Sequence, residues 1–334
     1  MDPDSIDSVG RAVHGGSTAP LDFSANTNPE RPPGVAAVYE DALDDAARYP
    51  DDSYAQYREA AADYVDCDLG EIVPTAGGTE AIRLALATHV SPGDSVLVPT
   101  PSFGEYAREI RLQGATPAFV PHDRIHDSSV GEHAAAVACT PNNPTGDLLP
   151  RAKLERFASR CRRAETLLVV DEAFLDFTET ESLAGRDGVV VCRSLTKMFG
   201  LPGLRMGFAC ATGGEYDRIE TARPTWNLST PAARVGTHCL RQDEFVARTR
   251  GRVARERERM RDRLEREGYD PHPSDAPFLL LDVGGRDVAS VIEEVADEGI
   301  AVRDCGSFGL DSHIRVAVKR RDENDRLLEA LARV

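Results

Sequence analysis

The chain has 334 residues, and its 56 Asp and Glu outnumber its 39 Lys and Arg, which gives a formal charge of -17. No basic stripe is visible, so nucleic acid is not expected as a partner. No apolar run approaches the roughly 18 residues of a membrane span, and no charged-then-apolar leader opens the chain. We therefore expect a soluble, cytoplasmic protein with no membrane partner.

Only three of the 39 basic residues are lysines, so the other 36 are arginines. An acidic, lysine-poor composition is typical of proteins from a salt-saturated (halophilic) cytoplasm, where screening makes the acidic surface tolerable. An acidic protein from a GC-rich genome is the alternative. The seven cysteines form no close pairs in sequence and are predicted to be buried free thiols, with no disulfide and no metal site.

Residues 1–33 form a polar arm rich in Gly, Pro and Asn. Residues 75–82 follow, with Gly77 and Gly78 and a hydroxyl before an apolar-periodic helix that runs to about Val90. The free amides at such a helix start suit a phosphate, and Gly78 permits a close approach.

Strand-like and helical runs then alternate, which predicts a three-layer α/β domain over residues 34–235. The predicted strands are 96–99, 137–139, 167–171, 189–194 and 207–211, with helices such as 150–163 between them. A long charged helix over about 229–267 is predicted to bridge to a smaller α+β domain, residues 236–334, containing strands 278–283, 300–303 and 313–318.

Three segments of the large domain carry candidate chemistry. Asn143 lies in a turn, Thr140 to Gly146, where turn chemistry alone is the alternative. Asp171 ends a buried strand and would face the ligand side of the sheet, unless it only caps a helix. Lys197 closes the segment Ser194-Leu195-Thr196-Lys197, a spacing that also occurs in penicillin-binding sites. Beside hydroxyls and Arg205, its amine is suited to condense with an aldehyde cofactor.

These segments, with the glycine-rich helix start, resemble the fold-type I pyridoxal-phosphate enzymes of the class I/II aminotransferase superfamily over nearly the whole chain. The resemblance implies a three-layer α/β/α large domain with a smaller α+β C-terminal domain and an N-terminal arm. It implies that Lys197 forms the Schiff base with pyridoxal 5'-phosphate and that Asp171 pairs with the ring nitrogen. The other implied cofactor contacts are Gly78, Thr79, Ser194, Thr196 and Arg205 at the phosphate, Asn143 at the ring oxygen, Phe103 stacked on the ring, and Tyr49 reaching the neighbouring subunit's cofactor.

The same resemblance implies a homodimer and assigns Arg315 to the substrate's α-carboxylate, a task suited to its two-pronged donor. A surface arginine beside a strand is the alternative for Arg315. Phe174 departs from the family pattern, because many aminotransferases carry there a tyrosine that hydrogen-bonds the ring oxygen. This departure weakens the case for ordinary transamination.

Residues 14–16, 21–29, 302–305 and 315–320 resemble the L-threonine-O-3-phosphate decarboxylases of cobalamin biosynthesis, although Ser17 stands where an asparagine is common. Histidinol-phosphate aminotransferase is the close relative and the alternative. Either implies a small phosphorylated substrate. Its phosphate is expected to contact His14, Gly15, Gly16, Asn26 and Arg303.

Alternatives stay open for two of these residues and for enzyme activity itself. His14 would otherwise be a mobile terminal residue, and Arg303 a strand-end arginine paired with an acid. A cofactor-sensing regulator would need a further DNA-binding domain and more positive charge than this chain has. An inactive scaffold would be expected to have lost Lys197 or Asp171.

Overall fold

The computed structural model describes all residues 1–334. Its thirteen strands form three sheets, and the central one has seven strands. In chain order the strands are β1 (Leu21–Asp22), β2 (Ile72–Thr75), β3 (Ser95–Thr100), β4 (Thr116–Pro121), β5 (Ala135–Cys139), β6 (Leu167–Asp171), β7 (Val189–Ser194), β8 (Gly207–Cys210), β9 (Asp270–Pro271), β10 (Phe278–Asp282), β11 (Ile300–Ala301), β12 (Arg303–Asp304) and β13 (His313–Ala317).

Twelve α-helices surround the sheets. They are α1 (Pro3–Ile6), α2 (Val35–Asp45), α3 (Ala55–Val65), α4 (Gly78–Ala87), α5 (Glu105–Leu112), α6 (Arg151–Arg163), α7 (Leu195–Met198), α8 (Gly213–Ala222), α9 (Thr230–Leu240), α10 (Asp243–Arg266), α11 (Val288–Asp297) and α12 (Arg321–Leu331). Short 3-10 helices cover Leu69–Glu71, His122–Asp127, Leu175–Phe177, Pro202–Leu204 and Gly306–Phe308. None of the helices has both the length and the apolar character that crossing a membrane requires.

The large sheet has the order β2-β8-β7-β6-β5-β3-β4. Strands β3 to β7 are mutually parallel, whereas β8 runs antiparallel to both of its neighbours. All five predicted strands of this domain are present, and their ends lie within two residues of the predicted ones. The α/β fold class is confirmed.

Two strands of the large sheet escaped prediction, and they are the two edge strands. β2 contains Pro74, and β4 contains Pro117 and ends on Pro121. Proline has no amide hydrogen for the ladder, so it is tolerated at an edge but hides the strand pattern in the sequence.

The sheet is buried on both faces. Leu168 and Val170 of β6 belong to one apolar cluster, and Val169 between them belongs to the other. This alternation follows from the two-residue period of a strand. Helices α4 and α5 cover one face, while α3, α6 and α9 cover the other. The cluster that contains Leu168 and Val170 continues without a break into the C-terminal part of the chain.

A four-stranded antiparallel sheet of order β12-β13-β10-β9 forms the C-terminal part. The predicted strand 300–303 is in fact two strands that part at Val302. β11 pairs in parallel with β1 of the N-terminal arm, and β12 pairs with β13. The arm is thereby tied to the C-terminal part of the chain.

The prediction of one helix over residues 229–267 is wrong. The chain leaves helical geometry at Gln242, with φ -106° and ψ 55°, and two helices result. α9 packs on α2 and α3, whereas α10 packs on the 3-10 helix Leu175–Phe177, α12, β9 and β10. The segment contains no glycine or proline at this point, so the bend goes with a change of packing partners.

Candidate active site

Three of the predicted segments meet at the carboxyl ends of the parallel strands. Cys139 of β5 is the register partner of Asp171, and Asp171 is in turn the partner of Cys192 in β7. The carboxyl ends of parallel strands meet on the same side of a sheet. The turn after Cys139, the carboxylate of Asp171 and the segment that follows Ser194 therefore surround one crevice.

This crevice is a cavity of about 380 Å³. The predicted site residues that line it are His14, Gly15, Asn26, Gly78, Thr79, Phe103, Asn143, Asp171, Ser194, Thr196, Lys197, Arg205 and Arg315. Gly16, Tyr49 and Arg303 do not line it. A larger groove, of about 910 Å³, runs along α6 and holds none of the predicted residues.

Asp171 is fully buried and accepts two hydrogen bonds. The Tyr106 hydroxyl donates to Oδ2 over 2.6 Å, and the Ala173 amide donates to Oδ1 over 3.0 Å. Burial raises the pKa of the carboxyl, and the two donors and the charge of Lys197 only partly offset that rise. Asp171 caps no helix, since the 3-10 turn that follows begins at Leu175. Asp171 instead lines the crevice, as the position at the strand end predicted.

Lys197 lies in the short helix α7, where it is partly buried and lines the cavity. Burial, together with the charges of Arg315 and Arg205, lowers its pKa to about 8, although Asp171 opposes the shift. More of the amine is therefore unprotonated near neutral pH than in an ordinary lysine. An unprotonated lysine is the form that attacks a carbonyl.

The start of α4 forms a cradle for an anion. Gly77 has φ 88°, and a Cβ there would lie 2.8 Å from Nη2 of Arg205. A Cβ on Gly78 would lie 3.2 Å from Cβ of Ser194. The hydroxyls of Ser194 and Thr196 are 2.8 Å apart. Helix amides, two hydroxyls and a guanidinium thus converge, which is the donor set of a phosphate site.

Arg315 of β13 is fully buried and has no carboxylate partner. It donates to Oδ1 of Asn143 and, over 3.1 Å, to the carbonyl of Ser24, while its Nε has no partner. Burial lowers the pKa of this guanidinium to about 10. The alternative of a surface arginine is wrong. Asn143 accepts through its oxygen, so its amide nitrogen remains available to donate.

The N-terminal arm closes one side of the cavity. His14 Nε2 lies 2.7 Å from Oε1 of Glu105, and the imidazole packs against the ring of Phe103 at 5.5 Å between centroids. Gly15 leaves no room for a side chain beside the carbonyl of Ser24, and the Gly16 amide donates to the Ser24 hydroxyl over 2.8 Å. His14 is thus held by Glu105 and Phe103, although 48% of its side chain is exposed.

Arg303 was predicted to contact the substrate phosphate directly, and the structure places its guanidinium elsewhere. It donates to the carbonyls of Val13 at 2.9 Å and His14 at 3.2 Å, and to the Ser307 hydroxyl at 2.7 Å. No acid lies within ion-pair distance, so the alternative of a paired strand-end arginine is also wrong. Arg303 holds the backbone of the arm.

Comparison with known proteins identifies the family. Residues 18–331 match the model of the family described as aminotransferase class I and II. The chain belongs to this family. A histidinol-phosphate aminotransferase 2 from Archaeoglobus fulgidus is 32% identical, covering 94% of this chain and 93% of its own. A putative threonine-phosphate decarboxylase from Caldanaerobacter subterraneus subsp. tengcongensis is also 32% identical, covering 92% and 88%.

The fold of this class I/II aminotransferase family member is shared by solved structures. Histidinol-phosphate aminotransferase from Sinorhizobium meliloti, in complex with pyridoxal-5'-phosphate, has a TM-score of 0.90 at 21% identity, covering 99% of this chain and 96% of the other. The likeness at that identity concerns the fold. Enzymes of the family use pyridoxal phosphate, so the cofactor prediction is confirmed, and so is the prediction of a pyridoxal-phosphate-dependent enzyme of the class I/II family. The reaction type stays a prediction.

The residues present fit this cofactor. The cradle at Gly78 and Ser194 suits its phosphate, and the buried carboxylate of Asp171 suits a cationic ring nitrogen. Lys197 supplies the amine for its aldehyde. The individual contacts remain predictions.

Two of the predicted features concern aromatic residues. Phe174 lines the cavity and packs edge-on against Phe278, with 5.2 Å between centroids. It brings no hydroxyl to the crevice, as its sequence position indicated. Tyr49 is 76% exposed and stacks on Trp226 at 4.1 Å, outside the cavity of its own chain. Its contact with a neighbouring subunit remains a prediction.

Sequence reasoning missed Tyr106 and Glu105, which position Asp171 and His14. Both lie at the start of α5, where helical spacing aligns Tyr106 with Phe103, and their rings meet edge-on at 5.6 Å. In sequence they look like an ordinary helix start with an acid and a core aromatic. Only the fold brings them to residues 65 and 91 positions away.

Proposed function

We propose that this enzyme decarboxylates L-threonine O-3-phosphate to 1-amino-2-propanol O-2-phosphate for cobalamin biosynthesis. The observation that carries the proposal is Arg315, a buried arginine in the cavity that has no acid partner, with the equally acid-free Arg303 beside it. Arg303 and Arg315 are register partners in β12 and β13, and both guanidiniums lie near the ring of Phe308, at 5.4 and 5.8 Å. Neither has a carboxylate within 4.0 Å.

Buried cations are normally paired, because desolvation of an unpaired charge is costly. An acid-free buried arginine that lines the cavity therefore favours an anionic substrate. A phosphorylated amino acid brings two anionic groups besides its amine. We assign its α-carboxylate to Arg315, and its phosphate to His14, the Gly15 amide and the Asn26 side chain, whose amide nitrogen can donate. The Gly16 amide already donates to the Ser24 hydroxyl and is left out of this assignment.

Arg303 takes part indirectly in this assignment. Its guanidinium donates to the carbonyls of Val13 and His14 and so holds this part of the arm in place beside the cavity. We therefore assign Arg303 to positioning of the arm and withdraw it from direct phosphate binding.

Asp171, Arg315 and Lys197 have different roles in the proposed reaction. When bound, pyridoxal phosphate supplies an electron sink for the bond that breaks at the substrate's α-carbon. Asp171 keeps the ring nitrogen protonated by ion pairing, and Tyr106 and Ala173 fix the orientation of that carboxylate. Arg315 would bind and orient the substrate's α-carboxylate. Lys197 would hold the proton that the α-carbon receives in place of the carboxylate.

Histidinol-phosphate aminotransferase is the second candidate. It is favoured by the names of most of the similar relatives, including the one from Archaeoglobus fulgidus. The same pocket would then place the bond from the α-carbon to its hydrogen perpendicular, with Lys197 as the base. A small rotation about one bond separates the two reactions.

A homodimer belongs to the proposal. Tyr49, Trp226 and Leu43 are exposed apolar residues outside the cavity, and such residues are suited to a subunit interface. Tyr49 of each subunit would then reach the partner's cofactor phosphate. Mass measurement in solution tests this, and a monomer that is fully active at high dilution would contradict it.

The decisive experiment is release of carbon dioxide from O-phospho-L-threonine by the cofactor-loaded protein in high salt without a keto acid. Multiple turnovers support the proposal, and Lys197→Ala, the matched control, should show none. A parallel sample receives histidinol phosphate with 2-oxoglutarate. Formation of glutamate there, without carbon dioxide release in the first sample, would establish the aminotransferase instead.

A further inference from the structure

The fold brings two cysteines and a glutamate together at the edge of the large sheet. Cys67 follows α3, Glu71 is the last residue of a 3-10 helix, and Cys210 is the last residue of β8. The two sulfur atoms are 3.6 Å apart, and one ligand atom from each residue lies within 4.8 Å of the others. We call these three residues the Cys67 cluster.

The spacing of the sulfurs matches a shared metal better than a disulfide. With zinc–sulfur bonds of about 2.3 Å, tetrahedral geometry separates two sulfur ligands by about 3.8 Å. A disulfide requires about 2.05 Å. The observed 3.6 Å is close to the tetrahedral edge.

The backbone holds the ligands in place. Ile72, next to Glu71, is the register partner of Cys210, and the Ala211 amide donates to the Glu71 carbonyl over 2.9 Å. These bonds extend the ladder between β2 and β8. Glu71 and Cys210 are therefore fixed by the sheet itself.

The Glu71 carboxylate is oriented by a second contact. Its Oε2 accepts from the Asp68 amide over 3.1 Å, in a capping box that leaves Oε1 uncommitted. Gly185, with φ 75°, covers the cluster so closely that a Cβ there would lie 3.3 Å from Glu71 Oε2 and 3.6 Å from Cys67 Cβ. Outer contacts of this kind orient metal ligands.

The charge and softness of the ligands select the ion. Two sulfurs with one carboxylate favour zinc-like cations over magnesium or calcium, which prefer oxygen alone. Asp68 lies beside the cluster and adds negative charge that a cation would neutralise. Cys67 is only half-buried, so a water molecule has access to a fourth position.

We propose that Cys67, Glu71 and Cys210 form a binding site for a thiophilic divalent cation of the zinc class, with water as the fourth ligand. The site ties the end of α3 to β2, and β2 leads directly into Gly77 and Gly78. This departs from the expectation that the cysteines serve no metal site. The proposal is independent of the proposed reaction, because its readout is metal content and stability.

The test uses the full-length, cofactor-loaded protein, reduced and freed of metal with a chelator. After incubation with zinc and desalting, elemental analysis should find one zinc per chain in the wild type and none in Cys67→Ala. Cys161→Ala, which removes a buried isolated thiol from α6, is the matched control and should keep its zinc. Equal zinc in wild type and Cys67→Ala, or none in the wild type, overturns the proposal.

A second variant covers the case in which Cys67→Ala folds poorly. Glu71→Gln keeps an oxygen for the capping box but loses the charge, and its zinc affinity should fall by about tenfold or more, by analogy with losses at outer contacts. Zinc should also raise the melting temperature of the wild type. Unchanged affinity in Glu71→Gln, or a Cys67–Cys210 disulfide found by mass spectrometry in place of bound zinc, contradicts the site.

Discussion

The hydroxyl of Tyr106 donates a 2.6 Å hydrogen bond to Oδ2 of Asp171 in the fully buried interior of the large domain. A buried carboxylate needs such donors to stay ionised, since burial alone raises its pKa. Tyr106 therefore supports the charge that a protonated ring nitrogen would face.

Tyr106→Phe should weaken pyridoxal phosphate binding by about tenfold or more, because hydrogen bonds to charged groups contribute about 1.5–3 kcal/mol. Cofactor dissociation, followed by absorbance, measures the effect. Tyr269→Phe is the control, since that hydroxyl donates to the Leu331 carbonyl in the C-terminal part of the chain. Equal cofactor affinity in wild type and Tyr106→Phe would remove Tyr106 from this role.

The pH dependence of cofactor loading should follow Lys197. Its pKa is lowered to about 8, so the reactive neutral amine becomes more abundant as pH rises through 8. The rate of reconstitution of the cofactor-free protein should therefore increase over pH 7 to 9, with a midpoint near 8.

Arg315→Met supplies the control for that profile. Arg315 is the largest charge effect that lowers the Lys197 pKa, so its removal should move the midpoint to higher pH. Free pyridoxal phosphate titrates identically in both experiments. A midpoint that stays in place would assign the profile to the cofactor and not to Lys197.

Substitution by methionine should affect stability at one buried arginine and activity at another. Arg193 is paired with Glu172 at 3.0 Å and with Asp176, whereas Arg315 has no acid partner. Arg193→Met strands two buried carboxylates and should lower the free energy of unfolding by about 3–5 kcal/mol.

Arg315→Met strands no charge, so it should cost much less stability while abolishing most of the activity with the anionic substrate. Denaturant unfolding and kcat/KM together measure both outcomes. A larger loss of stability in Arg315→Met than in Arg193→Met would show that Arg315 serves the fold and not the substrate.

Arg303 and His14 should act as one unit. Removal of the His14 side chain should lower kcat/KM for the phosphorylated substrate by about tenfold, the effect of one hydrogen bond of about 1.4 kcal/mol. Arg303→Ala releases the carbonyls of Val13 and His14 and should cost about the same.

The double variant should then cost little more than either single change, because contacting residues that share one function are not additive. The dephosphorylated substrate should be nearly insensitive to all three variants. Fully additive losses would mean that Arg303 reaches the substrate independently of the arm.

Much of the large domain was predictable because its strands are buried on both faces. β6 and β7 are continuous apolar runs, and their lengths and ends stand out in the sequence. Prolines concealed the edge strands β2 and β4, and the bend at Gln242 has no local cause. These features depend on what packs beside them.

Some residues of the site could likewise be predicted from the sequence, and others could not. Residues that need a special local conformation or chemistry could be recognised along the chain: the glycines at the start of α4, the strand-end Asp171 and Lys197 beside two hydroxyls. Their spacing along the chain carries the information, because each works through its own backbone position.

The residues that support these groups become visible only once the chain is folded. The hydrogen bond from Tyr106 to Asp171, the hold of Arg303 on the arm and the meeting of Cys67 with Cys210 join residues 65, 289 and 143 positions apart. Such pairs are set by strand order and register, and no local pattern encodes them.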